Sequence, residues 1–440
     1  MPEPAAAGAP RQTLSTWDGV AFIVGIVIGI GIFKTPSLVA SNVGSETAFL
    51  GAWLLGGVVM LLGALCYAEL GSAHPDAGGE YHYLSRAYGF PVGLLFGWAR
   101  GTVIQTGAIA AVAFVYGEYA AVLMPLGSYG IALHAAVGIV ALTAINMAGT
   151  MQSRALQVTL TLLTIAALIC VILAGLSYLS AAPAAPQNQM GGGFGLAMVF
   201  VLLTYGGWNE AAYLAGELKD PRRNMARTLL FGTGIVMLLY MLANIGYLKA
   251  FGLAGLSRTN PVGADLMRLA VGDAGAVVLS LIVCVCALST LNATIFTGAR
   301  TYYALGRDLS AIRALAAWDE RGHRPANALL LQCAIALALV VFGAFTRDGF
   351  EAMVAYTAPV FWFFLFLVAL SVFLFRRRDP STLHYRMPLY PLPPILLAAA
   401  AAWMFYSSIN YAGAGALAGL GVLLAGTPLL LLRRSPSAPR

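Results

Sequence analysis

Apolar stretches close to the ~20 residues needed to cross a hydrocarbon core follow one another along this chain, with only short polar breaks between them. They fall near 17–40, 47–72, 89–120, 126–147, 155–179, 194–215, 229–251, 273–306, 328–346, 351–375, 392–410 and 412–432. About twelve transmembrane helices are therefore expected, the last pair also being readable as a re-entrant hairpin. Of 440 residues 60% are hydrophobic and 10% charged, where soluble chains carry about a quarter charged residues. No soluble core can hide that much apolar side chain. A soluble enzyme, a disordered chain and a nucleic-acid-binding protein are excluded, and the fold class is all-α integral membrane.

No segment reads as a soluble domain. The expected organisation is a cytoplasmic tail over 1–16, a first five-helix half over 17–180, a second over 194–378, two further helices over 388–432 and a cytoplasmic tail over 433–440. The N-terminal residues lack the basic-then-apolar order of a signal peptide. Cytoplasmic loops hold the positive excess in membrane proteins. With the N-terminus inside, 19 Lys and Arg fall on the cytoplasmic side, five (Lys34, Lys249, Arg258, Arg268, Arg347) fall outside, and Arg100 lies within a span. Both termini are thus expected in the cytoplasm of a cell whose plasma or inner membrane the chain crosses. Cys66, Cys170, Cys284, Cys286 and Cys333 lie in apolar runs and read as small hydrophobes.

Two spans look broken. The first contains Gly29 and Gly31 followed by Pro36, and the sixth contains Gly206-Gly207 between Tyr205 and Trp208. Glycine weakens a helix and proline removes a backbone donor. Open backbone at bilayer depth survives only where it is buried or lines a cavity. The breaks lie 177 residues apart, each in the first helix of its half, and such a pair is the best sequence pointer to a transporter's binding site. An opened turn exposes N–H groups where the next half-helix begins and carbonyls where the previous one ends. A carboxylate suits the first and an ammonium or metal cation the second, so a zwitterionic amino acid fits both.

Around these breaks the chain resembles the amino acid–polyamine–organocation superfamily, and within it the L-type amino acid transporter-like branch. The resemblance is carried by Gly29-Ile-Gly31-Ile-Phe33 with Pro36, by Tyr67-Ala-Glu69-Leu-Gly71 with Gly79-Glu80-Tyr81, by Tyr205-Gly-Gly-Trp208-Asn209, and by Phe296, Arg300 and Gly306-Arg307-Asp308. It implies a LeuT-type 5+5 inverted repeat with discontinuous helices 1 and 6, two C-terminal helices, and amino-acid transport by alternating access. It also implies a substrate carboxylate on the N–H groups of Ile30 and Gly31 and an ammonium on the carbonyls of Val27, Leu203 and Gly206. Gly29, Tyr205, Trp208 and Asn209 complete the implied substrate set, and Tyr240 matches a tyrosine linked to site closure. Leu203 stands where an aromatic gate is common, and Ile30 where serine is usual. Neutral, small to medium L-amino acids lead, with cationic amino acids or polyamines as the alternative.

Coupling is open. Thr164 aligns with a lysine that, in the family, occupies a cation position, and Ser289 and Thr290 are adjacent hydroxyls like those that ligate sodium in coupled relatives of the fold. No resident cofactor is expected, only sodium or a proton as coupling ion. Glu210, Arg100 and Glu118 are intramembrane charges, which face cavities or pair with one another. Glu210 is a candidate proton carrier, binder of a cationic substrate, or partner of Arg100, while Glu118 reads as interfacial. The basic residues after the sixth and eighth spans read as topology determinants or as gating partners of Glu69, Glu80, Glu217 and Asp308. No cysteine lies in 125–129, so no disulfide-linked heavy chain is expected. An enzyme is disfavoured, since no His-Glu-x-x-His is present and the five histidines are scattered. A channel or a substrate sensor remains as a non-transporter alternative.

Overall fold

A computed structural model describes residues 14–431 except 77, 149, 178–192, 216–217, 260, 320–323, 347, 379–383 and 413. Glu217 and both terminal tails lie outside the described residues. The described chain is helical, and hydrophobic side chains pack through its whole interior.

The first apolar stretch is two helices, α1 (Thr16–Val27) and α2 (Gly31–Ala40), bent by 47° at residues 28–30. Ser15 and Asp18 close a reciprocal cap that fixes where α1 starts. Pro36 lies within α2 without ending it. The break therefore belongs to the glycines. α3 (Glu46–Ala73) is capped by Ser45 and leads to the short α4 (Glu80–Tyr88). The third span runs from Phe90 to Leu123 as α5 (Phe90–Ala99), a π-helical turn (Arg100–Ile104) and α6 (Gln105–Leu123). α7 (Gly130–Ala148) and α8 (Thr150–Ser177) follow.

The sixth stretch is also broken, into α9 (Gly193–Thr204), a 3-10 turn (Trp208–Glu210) and α10 (Ala211–Leu214). α11 (Pro221–Leu256) kinks at Gly252, whose φ is 62°. Next come α12 (Val262–Val271), α13 (Asp273–Asp308), α14 (Ala326–Ala344), α15 (Gly349–Arg378), α16 (Leu392–Ala412) and α17 (Ala414–Leu424). Among the described residues eight helices are long and apolar enough to cross a membrane, or nine with the bent pair counted as one span. The stretch expected at 155–179 falls on α8, that at 194–215 is divided among α9, the 3-10 turn and α10, and that at 412–432 falls on the shorter α17. The protein is a multi-pass membrane protein.

Candidate functional site

The two breaks face each other. A Cβ on Gly207 would stand 2.7 Å from Ile26 Cγ2, and one on Gly31 would stand 3.0 Å from Thr204 Cγ2. Gly207 also has φ of 100°, a left-handed backbone that disfavours any side chain. Thr35 and Thr204 join the two half-helices through hydroxyls 2.6 Å apart. Behind them Tyr240 donates its hydroxyl to Val27 O at 2.5 Å and lies 3.4 Å from Thr204 O. One tyrosine thus donates to a carbonyl of the first break and stands beside a carbonyl of the second.

The exposed backbone groups divide as helix polarity requires. At the start of α2, among the described residues, no backbone carbonyl accepts from Ile30, Gly31 or Ile32. These three N–H groups are thus free of backbone partners at the start of α2, with the positive end of the helix dipole behind them. Val27 O is fully used, taking the Gly29 N–H at 2.7 Å as well as Tyr240. Leu203 O takes the Gly206 N–H at 2.9 Å, and no described backbone N–H donates to Gly206 O. Of the three carbonyls expected to hold an ammonium, Gly206 is open and Leu203 is half used. Val27 is closed to it in this conformation.

The side chains separate into groups. Leu203 is 36% exposed between buried neighbours. Tyr205 packs edge-on against Trp53 and beside Tyr240. Trp208 turns away from the break, edge-on to Tyr67 with its ring against Gly63 of α3. Asn209 also turns away, donating to Glu80 at 3.1 Å. Thr290 Oγ1 is buried without a partner and would lie 3.1 Å from a Cβ on Gly29. Ser289 is buried beside it in sequence, and Thr164 meets the same helix through a hydrogen bond with Cys286. Tyr240→Phe removes the side-chain donor of Val27 O, which keeps only the Gly29 N–H, and takes the hydroxyl away from Thr204 O. A net loss of about 1 kcal/mol in thermal unfolding is expected, with weaker ligand-induced stabilisation, both measurable in detergent.

Residues 14–424 match the amino acid permease family. The chain belongs to that family. It is 29% identical to the mouse (Mus musculus) b(0,+)-type amino acid transporter 1 over 84% of this chain and 77% of that protein. It is 28% identical to the serine/threonine exchanger SteT of Bacillus subtilis (strain 168) over 91% of each. It is also 28% identical to the rat (Rattus norvegicus) large neutral amino acids transporter small subunit 2 over 96% of this chain and 81% of that protein. This permease is a secondary amino acid transporter and not an enzyme.

The charges of the permease pair across helices. Arg100, 1% exposed, donates to both Glu210 oxygens at 2.7 and 3.0 Å, to Glu80 at 3.2 Å and to Thr301 at 3.2 Å. The Tyr213 ring lies against its guanidinium at 4.2 Å. Glu80 accepts in addition from Tyr67, Asn209 and Tyr213. Burial pushes the Glu80 carboxyl up from its ordinary range, while Arg100 and the Tyr67 hydroxyl pull it down. Glu69 takes both nitrogens of Arg376 at 2.6 Å and the Met387 N–H at 2.7 Å. Asp308 accepts from Tyr81.

The basic residues after the sixth and eighth spans are therefore not the partners of Glu69 and Glu80. Those partners are Arg376 in the last turn of α15 and Arg100 in the π turn inside the third span. Glu118 is more than interfacial, since it holds Lys34, which is 3% exposed. Sequence reasoning reads Lys34 only as one of the outer basic residues, and its place inside the apolar stretch 17–40 is the available signal for a buried pair. Thr35 and Thr204 gave no signal of their own.

Proposed function

We propose that this permease carries neutral, small to medium L-amino acids across the plasma or inner membrane by alternating access. The proposed architecture has twelve helices, a LeuT-type 5+5 inverted repeat of which 17–180 and 194–378 are the halves, and both termini in the cytoplasm. The observation that carries the reading is the set of N–H groups at Ile30, Gly31 and Ile32 without backbone acceptors, in a break packed against the second one. The substrate carboxylate takes those donors. The ammonium takes the Gly206 carbonyl and the remaining lone pair of Leu203, with the side chain beside Leu203. Glu210 gives both oxygens to Arg100, so the acidic group nearest the break is already neutralised. This favours neutral substrates over cationic amino acids and polyamines. Relatives named for serine/threonine exchange and for large neutral amino acids support the same class.

Sodium symport is the second reading. The buried Thr290 hydroxyl oxygen beside Gly29 is a spare ligand of the type sodium takes, and Thr164 stands where the family lysine would otherwise occupy a cation position; a proton is the alternative coupling ion. No disulfide-linked heavy chain is proposed. A thermal-shift screen of the purified permease against all twenty amino acids, with sodium or choline, tests these readings. At 100-fold excess over Kd a selective ligand stabilises by about 2.7 kcal/mol. Neutral amino acids are expected to raise the midpoint. A midpoint raised only by arginine, lysine or polyamines would overturn the neutral class, and identical shifts in sodium and choline would remove sodium.

A further inference from the structure

The third span carries an ion pair at each end, and each pair grips a different broken helix. Towards one end Arg100 holds Glu210, which follows the second break, and the same arginine is fixed to its own side by Thr301 of α13. Eighteen residues on, about 27 Å along a helix, Glu118 of α6 holds Lys34 of α2. Asp348, just before α15, stands 3.3 Å from the same ammonium, and the Phe350 ring lies 4.8 Å from it. Tyr119 adds a bond to the Phe33 carbonyl at 3.0 Å. A small cavity of about 190 Å³ opens beyond Lys34, lined by Ser37, Ser41, Arg258 and Asp348 among others. The Arg100 and Lys34 pairs are both closed in this structure.

The geometry assigns the third span the part of a double-ended latch. Glu118 is the outer anchor and Arg100 the cytoplasmic anchor, and opening to either side breaks one pair while the other stays shut. This rests on the transport reading and adds residues that control its cycle without touching substrate. The chemistry fits the task. Each pair is a charge-assisted bond between a half-helix that borders the substrate break and a helix that does not. Neither opening strands Arg100 or Lys34 without an anion, since Glu80 remains on Arg100 and Asp348 on Lys34.

The test reads conformation directly. Ser37→Cys reports the outer cavity and Ala212→Cys, two residues past Glu210, reports the cytoplasmic side; both positions are now buried. Each is labelled with a membrane-impermeant maleimide in the full-length detergent-solubilised chain, with Cys170 and Cys333 replaced by alanine. Lys34→Met should speed labelling at Ser37→Cys about ten-fold, a population shift of about 1.4 kcal/mol, and slow it at Ala212→Cys. Glu210→Gln should do the reverse. The double variant Lys34→Met/Glu118→Gln removes the more buried carboxylate that Lys34→Met orphans, leaves only the partly exposed Asp348, and should match Lys34→Met, which separates gating from misfolding. Unchanged labelling, or both variants speeding the same reporter, overturns the latch. Counterflow of labelled amino acids by the unsubstituted chain is scored separately, so a latch without transport and transport without a latch are told apart.

Discussion

Gly207→Ala is expected to abolish transport and to lower stability by about 3 kcal/mol. The sum has two physical sources. An L-residue at φ of 100° carries a cost of ~1–2 kcal/mol, and overfilling a packed site carries ~1–3 kcal/mol. The new methyl would sit 2.7 Å from Ile26 Cγ2, so it pushes the breaks apart as well as straining the turn. Gly234→Ala is the matched control. It lies in α11 with nothing within 4 Å of the added Cβ, and an alanine there should stabilise by ~0.5–1 kcal/mol. Thermal unfolding in detergent and counterflow in proteoliposomes read both. If Gly207→Ala unfolds and transports like the unsubstituted chain, the apposed breaks are not the working site.

Arg100→Met is the second large effect. It removes the cation shared by Glu80 and Glu210 and leaves two carboxylates together in a buried place. Breaking a buried pair from one side costs ~3–5 kcal/mol, enough to remove most folded protein from a membrane preparation. The triple variant Arg100→Met/Glu80→Gln/Glu210→Gln leaves no stranded charge and is expected to recover folded protein, as judged by monodisperse elution in detergent. Its transport should stay impaired, because the contacts linking the second broken helix to the third span are gone. Equal yields of the single and triple variants would show that Arg100 is not the charge partner described here.

The breaks were legible in the sequence because their cause is local. Glycines also serve close packing in intact membrane helices such as α3. Two glycine interruptions 177 residues apart in corresponding spans, however, pointed to opened backbone, and residues 28–30 and 205–207 do open. Much of the helix pattern was legible for the same reason, since a span is a run of apolar residues. Charge pairing was not. Which cation meets Glu69 depends on the ends of α3 and α15 meeting, 307 residues apart in sequence, and no local pattern encodes that. Trp208 and Asn209 belong to the motif of the sixth span, yet their side chains serve α3 and Glu80, because the turn after Gly207 aims them away from the break. The short helices α4 and α12 went unseen because they lie in connections and are amphipathic rather than wholly apolar, so a reading by apolar runs passes over them.

The π-helical turn at Arg100–Ile104 has a consequence for how this chain can change over time. A π turn accommodates one residue more than an α turn of the same height. Here its carbonyls are claimed from outside, Gly101 O by Tyr302 and Thr102 O by Tyr356. Because the turn absorbs its extra residue, deleting one there would yield a regular α-helix with both flanks still in register. The carbonyls that now reach Tyr302 and Tyr356 would instead be drawn into the helix ladder. Length in this stretch therefore decides whether α13 and α15 keep their polar hold on the third span, and lineages that keep the two tyrosines should also keep the extra residue.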